Sequence, residues 1–434
     1  MTPERSVAFL DTRRSFLFRP ESRQTHHGAT PSVASMTSAT PHVDPRLESL
    51  GGRSVLFLAT AAGVATATSY VVQPELTRIA ADLGASLEST STAAGLPILG
   101  YMFGLALLVP LVDRLPARQL VPIQLAVLSL SLALAAIATN VYAFGAALLV
   151  SGICASTGAQ MSTLAGKHSP TETRGRALGS VTAGISAGVL FGRAVGGGLA
   201  DGIGWRAMLV IVAGACLVCA AGSRAILPGA AQRRDQPYLA TLAAMPRLLR
   251  TYPELSVAAV SGALWFFAFS LIWMGLSLAL ALPPLNLSPT VIGLYSLAGV
   301  SGIFATRVAG QLADRFGSRP VVFAGLALAL ACTFAMAPAL SSAPLMLLAL
   351  ALFDTGLFAA QVANQRRVLS IEPLQPARFN SVYMVVYFIG GSLGTALAGT
   401  IVSLFGWPAA AVTAAFALTA AGALYMRQEP RGAD

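Results

Sequence analysis

Gly310-Gln-Leu-Ala-Asp314-Arg315-Phe-Gly317-Ser-Arg319 is a charged passage between two long apolar runs, 290–312 and 320–338. A related passage stands 201 residues earlier, between the runs 91–112 and 119–138: Val109-Pro-Leu-Val-Asp113-Arg114-Leu-Pro116-Ala-Arg118. It keeps Asp113, Arg114 and Arg118 and replaces both glycines. A shift of 202 lays Arg176, Gly188, Gly192, Gly197, Gly204 and Trp205 on Arg378, Gly390, Gly394, Gly399, Gly406 and Trp407. Glycine matches alone could arise by chance in so glycine-rich a chain. An Asp-Arg and a Gly-Trp recurring at nearly one offset mark an internal duplication. Parallel repeats of this kind build transporters whose halves meet around a midplane cavity.

Composition points the same way. Of 434 residues 55% are hydrophobic and only 11% charged, against about 25% charged in an ordinary soluble protein. Apolar runs long enough to cross a bilayer lie at 54–76, 91–112, 119–138, 141–165, 177–200, 206–228, 255–282, 290–312, 320–338, 344–365, 379–402 and 408–426. Lipid offers no partner to a backbone N–H or C=O, so each run must be helical, and glycine or proline inside it marks close packing or a kink. The expected fold is an all-α membrane protein of twelve transmembrane helices in two six-helix bundles, 54–228 and 255–426. A polar tail (1–53), a linker (229–254) and a short C-terminal tail (427–434) complete it. The N-terminal tail is rich in Ser, Thr, Pro and Arg and reads as disordered. Asp11, Arg13 and Arg14 interrupt Val7 to Phe18, so no cleaved secretory signal is expected.

Orientation follows from the positive charges. If the N-terminal tail is cytoplasmic, all but four of the 28 Lys and Arg fall in cytoplasmic tails and loops. Arg78 and Arg206 lie outside, and Arg193 and Arg307 fall within spans. Both termini are therefore expected in the cytoplasm of a multi-pass protein of the cell membrane. The net charge of +10 is accounted for by this bias, and nucleic acid is not an expected partner. Cys154, Cys216, Cys219 and Cys332 all sit in apolar runs, which argues against a disulfide framework or a metal site.

The Gly310–Arg319 passage resembles the loop signature G-x-L-x-D-R-x-G-R-R of the major facilitator superfamily, and the likeness extends over 54–426. It implies that spans one, four, seven and ten surround the cavity. The fifth span, with Gly184, Gly188, Gly192, Gly196 and Gly197, is similar to the glycine-rich antiporter motif of the drug-efflux branches, with Arg193 where those usually carry Pro. The arginine usual in the fourth span of proton antiporters has no counterpart between Val141 and Ala165.

Each candidate site has a physical rationale. Asp113 and Asp314, with Arg114, Arg118, Arg315 and Arg319, can latch onto the neighbouring bundle through charge-assisted bonds when the cytoplasmic side closes and release them when it opens. Gly310 and Gly317 shape that loop. Glycines at spacing four on span five let two helices approach closely, with or without an antiport role. An ionisable group inside a bilayer costs about 3 kcal/mol on insertion scales, so Arg193, Asp354 and Glu75 are functional candidates. Asp354, near the midplane of span ten, is the expected proton-coupling carboxylate. Arg193 is expected to face the cavity or pair with an acid. Arg307 can snorkel to the cytoplasm, and Glu75 can sit in external water. Gln160, Gln361 and Asn364 can bond substrate or a neighbouring helix, and Tyr101, Trp265 and Phe266 can stack on an organic solute.

The sequence carries no phosphate loop for ATP and no cofactor is expected. An integral-membrane enzyme would need clustered His, Asp or Glu, and His168 is the only histidine beyond the tail. The expectation is a secondary transporter, working as a monomer, that exports small organic molecules in exchange for protons. Uptake by proton symport is the alternative, and a receptor without transport a weaker one.

Overall fold

The computed structural model describes residues 51–170, 172–227, 245–372 and 376–427. The greater part of the expected tails and linker lies outside the described residues. Every regular element among the described residues is a helix. The chain runs through α1 (Gly52–Ala67), α2 (Leu76–Asp82), α3 (Leu87–Leu107), α4 (Ala117–Ala136), α5 (Val141–Ala155), α6 (Thr157–His168), α7 (Arg174–Ile203) and α8 (Trp205–Ile226). It continues with α9 (Met245–Thr251), α10 (Pro253–Ala281), α11 (Pro289–Leu294), α12 (Val300–Phe316), α13 (Ser318–Met336), α14 (Ala343–Ile371) and α15 (Pro376–Met426).

Helix starts follow local chemistry. The Ser86 hydroxyl accepts the Ser89 N–H at 3.1 Å, and the Asn140 side chain accepts that of Ala143 at 2.9 Å, satisfying donors that a first turn leaves open. Pro253 and Pro289 open α10 and α11, where the missing N–H costs nothing.

Among the described residues ten helices are long and apolar enough to cross a membrane. The expected runs differ from them in detail. Run 54–76 becomes the 16-residue α1, then a turn and the short 3₁₀ segment Gln73–Glu75. Run 141–165 is divided at Ser156 between α5 and α6, and run 290–312 passes from α11 through the 3₁₀ segment Tyr295–Gly299 into α12. Runs 379–402 and 408–426 lie in the single 51-residue α15, whose helical path is broken at Gly406 (φ 77°).

The duplication has a structural meaning. Gly204 (φ 85°) and Gly406 (φ 77°) occupy the left-handed region that favours glycine. Each breaks the chain just before a buried tryptophan. Trp205 donates to Asp82 at 2.8 Å and Trp407 to the Met336 carbonyl at 2.9 Å. Gly317 (φ 84°) is the corresponding break in the Gly310–Arg319 loop. The earlier loop turns at Pro116 instead, after a 3₁₀ segment Val109–Asp113.

Packing follows the small residues. A Cβ at Gly188 or Gly196 would collide with the backbone of Gly63 or Val71, and one at Gly192 would lie 3.0 Å from Ala67. The glycine stripe on α7 is thus the surface on which α1 and its following turn lie. A Cβ at Gly197 would strike the Pro289 carbonyl, which brings α7 against α11 in the second half of the chain. The other extensive contact across the two halves is α3 on α15, where Ser392 donates to the Gly95 carbonyl at 3.2 Å.

Candidate functional site

Between the halves lies a cavity of about 520 Å³. Its wall takes Thr66, Ser69 and Tyr70 from α1 and the turn after it, Tyr101 from α3, Thr182 and Val189 from α7, Trp265, Phe266 and Phe269 from α10, Gln361 and Gln365 from α14, and Asn380, Tyr387 and Phe388 from α15. Four of these, Tyr101, Trp265, Phe266 and Gln361, were candidates from the sequence. The aromatic side chains hold one another: Phe266 stacks on Tyr387 with centroids 4.1 Å apart, and Tyr101 meets Phe388 at 4.9 Å.

Beside the cavity, one helical turn from Val189, lies a buried polar chain that joins four helical segments. Arg193, 3% exposed, donates through Nε to Gln73 at 2.7 Å. Its guanidinium lies 4.7 Å from the centre of the Tyr70 ring and 4.6 Å from that of Trp273. The Trp273 indole N–H in turn donates to Asp354 Oδ1 at 3.1 Å, and Asp354 is 1% exposed. Asp354 Oδ2 is buried beside Gly299 without a hydrogen-bond partner among the described residues. Tyr70 belongs both to this chain and to the cavity wall.

Beyond it lies a second tie. Asp201 accepts from Arg78 at 2.9 Å and from the Thr290 hydroxyl at 2.9 Å, joining α2, α7 and α11. The Ser296 hydroxyl donates to the Leu190 carbonyl at 2.8 Å, a further bond between the halves. Glu75 is fully buried, with its Oε2 3.8 Å from Arg78. The structure therefore takes it out of the external water that the sequence allowed. It stands in the 3₁₀ segment Gln73–Glu75, outside the cavity wall.

The remaining expected residues divide. Gln361 lines the cavity and accepts from the Tyr387 hydroxyl at 3.1 Å. Gln160 and Asn364 do not line it. Gln160 donates to the Leu108 carbonyl at 2.8 Å, while Asn364 donates to Ala258 at 2.9 Å and accepts from Tyr425 at 3.0 Å. Both amides bond neighbouring segments, and the buried Gln160 Oε1 has no partner among the described residues. Arg307 is exposed.

In the charged loops Arg366, Arg118 and Arg319 bond within their own halves. Asp314 was expected to bond the other bundle when the cytoplasmic side closes. Its partner is Arg366 on α14, in the same half, and that guanidinium also donates to the Gly310 carbonyl at 3.0 Å. Arg118 donates to the Arg224 carbonyl at 2.7 Å and Arg319 to the Met426 carbonyl at 3.2 Å. These bonds repeat the duplication: each arginine caps the last turn of the final long helix of its own half, where carbonyls lack partners and the helix dipole favours a cation. Arg315 stacks over Phe316 at 5.2 Å. Arg114 closes the Val109–Asp113 segment through its backbone N–H, and the Asp113 side chain lies outside the described residues.

Sequence reasoning missed Gln73, Tyr70 and Trp273, the links between Arg193 and Asp354. It missed Arg78, Asp201, Thr290 and Arg366 as well. Arg78 carried a signal, being one of two arginines on the side otherwise free of them. The others are common residues whose role depends on helices distant in sequence.

The chain belongs to the Major Facilitator Superfamily, whose sequence profile matches residues 57–373 and again 285–434. It is a multi-pass membrane transporter, not an enzyme. It is 31% identical to "Probable transporter SCO4007" of Streptomyces coelicolor over 363 residues, covering 82% of this chain and 84% of that protein. It is 28% identical over 356 residues to an uncharacterized transporter, YgaY, of Escherichia coli O157:H7, covering 81% and 90%. Among solved structures it resembles a bacterial homologue of the human lysosomal transporter Spinster in its inward-facing, unoccupied conformation. That match has a TM-score of 0.72 at 16% identity over 86% of this chain and 95% of the other. The nucleoside transporter NupG matches with a TM-score of 0.69 at 13% identity, over 86% and 98%. At such identities these two likenesses speak for the fold alone.

Proposed function

We propose that this chain exports small organic molecules by alternating access, exchanging them for protons across the cell membrane. The observation that carries the reading is a cavity lined by both halves with bonds between the halves beside it. Arg193 with Trp273 and Asp354, and Asp201 with Arg78 and Thr290, tie the halves together there. At the arginine-bearing end Arg366, Arg118 and Arg319 bond within their own halves. Such a state is the one in which a solute would enter from the arginine-bearing side, and the charge bias makes that side the cytoplasm.

In this reading the runs are twelve spans in two six-helix bundles, 54–228 and 255–426, joined by a cytoplasmic linker at 229–254. Both tails are cytoplasmic, and one chain suffices. Asp354 is the coupling carboxylate: a buried acid with one oxygen engaged and the other without a partner can hold a proton in one state and release it when the site opens to water. Arg193 balances its charge from the neighbouring span. Glu75, buried close to Arg78, is a second proton-binding candidate on the outer side.

Reconstitution tests the proposal. Growth of deletion and overexpressing strains across a panel of toxic compounds supplies candidate solutes. In proteoliposomes, an imposed pH gradient should then drive solute uphill as protons run the opposite way. Protons and solute moving together would assign uptake symport instead. Indifference to the gradient would remove proton coupling.

A further inference from the structure

We infer, granting the transport reading above, that the solute this cavity accepts is an uncharged, planar aromatic molecule bearing an amide-like donor and acceptor. The volume of about 520 Å³ falls in the range that holds a molecule of drug size. Its walls are rich in rings contributed by both halves, Tyr101 from one and Phe266, Tyr387 and Phe388 from the other. Flat apolar solutes gain from stacking and edge contacts with such walls.

The lining contains no Asp, Glu, Lys, Arg or His among the described residues. The charges nearest to hand, Arg193 and Asp354, are buried off the lining and engaged with Gln73, Tyr70 and Trp273. An ionised solute entering here would give up its water without meeting a counter-charge, which is costly in an apolar setting. A cation could turn to the aromatic faces. Two of those faces, on Phe266 and Tyr387, are already stacked in parallel against each other, and a guanidinium stands behind Tyr70.

The polarity of the cavity comes from hydroxyls, those of Thr66, Ser69 and Thr182 among them, the Trp265 indole N–H and a set of amides, and only the amides offer donor and acceptor side by side. The Gln361 carbonyl takes the Tyr387 hydroxyl, a bond that leaves its NH₂ to donate elsewhere. Gln365 donates to Asn380 at 3.0 Å, a pairing that leaves one carbonyl and one NH₂ on the same stretch of wall. A planar solute with its own amide or lactam edge complements that set, and one lacking it leaves those groups unpaired. Sites built on hydrogen bonds reject such analogues strongly.

The test is equilibrium binding of ring-matched probes to the purified full-length chain in detergent: 2-naphthamide, naphthalene, 2-naphthoate and 2-naphthylmethylammonium. The amide should bind saturably, and both ions at least about tenfold more weakly. Gln361→Leu should weaken 2-naphthamide about tenfold while leaving naphthalene unchanged; Asn380→Leu, on another helix, gives the same reading should the first variant fail to fold. Equal binding of either ion, or no saturable binding of the amide, overturns the inference. So does equal loss of amide and naphthalene in a folded variant. The readout separates this inference from the transport reading. Saturable binding without flux in proteoliposomes would sink transport and leave the ligand class standing. Flux of other solutes without amide binding would do the reverse.

Discussion

Arg193 and Asp354, 161 positions apart in sequence, are joined through a single indole: the guanidinium lies 4.6 Å from the centre of the Trp273 ring, and that ring's N–H donates to the carboxylate at 3.1 Å. One aromatic side chain thus reads both charges. Changing the protonation of Asp354 alters the hydrogen bond that fixes the ring, and the ring is half of the sandwich that holds Arg193. A proton taken up by Asp354 on one half of the chain would thereby be felt at Arg193 on the other.

Trp273→Phe keeps an aromatic face for Arg193 and deletes the donor to Asp354. A hydrogen bond to a charged group is worth about 1.5–3 kcal/mol. Thermal unfolding of the two single variants and the double variant Trp273→Phe, Asp354→Asn should show the Trp273 effect shrinking by that amount once the carboxylate is gone. Strict additivity would show that the indole acts on something other than Asp354.

Asp354→Asn preserves size and removes the titratable group. Proton flux on solute addition should vanish while solute–solute exchange across proteoliposomes continues. Retention of wild-type proton stoichiometry would move the coupling role elsewhere, and Glu75→Gln is then the variant to examine.

Asp314 and Arg366 lie at the exposed end of the second half, and exposed pairs add little to stability. Asp314→Asn should therefore leave the unfolding temperature unchanged and lower the turnover number. Arg366→Gln should match it, and the double variant should be no slower than either. A turnover equal to wild type in all three would reduce the pair to surface decoration.

Arg118 and Arg319 cap equivalent helices, so Arg118→Met and Arg319→Met should destabilise by similar amounts, about 0.3–1 kcal/mol each. Chemical denaturation followed by tryptophan fluorescence measures both. A loss confined to one of them would show that the repeat is not matched energetically.

Gly197 has no room for a side chain against the Pro289 carbonyl. Gly197→Leu should force α7 from α11 and populate a state open at that end. With the native cysteines replaced by alanine, maleimide should label Ser296→Cys faster in the Gly197→Leu background than without it. Identical labelling rates would mean that the seal does not depend on this contact.

The sequence by itself determined the helical character of this protein, the duplication and the loop signature. Those properties are local: a bilayer demands intrahelical hydrogen bonds from every long apolar run, and Gly317, Gly204 and Gly406 sit where the chain turns with positive φ, which excludes most other residues. The candidate charges were legible for the same reason, since a lone Asp354 or Arg193 in an apolar run stands out on energetic grounds. The partners were not. Trp273 is one aromatic residue in a long apolar helix, and nothing in its neighbourhood distinguishes a ring that bonds Asp354 from one that packs. Gln160 and Gln361 are related by the duplication, yet one donates to the Leu108 carbonyl off the cavity and the other lines it. Arg366 gives no sign of being the partner of Asp314 until α14 is seen to bring it there. Only the tertiary structure decided these points, because a hydrogen bond or a ring contact depends on which helix faces which, and that is set by packing between segments far apart in the chain.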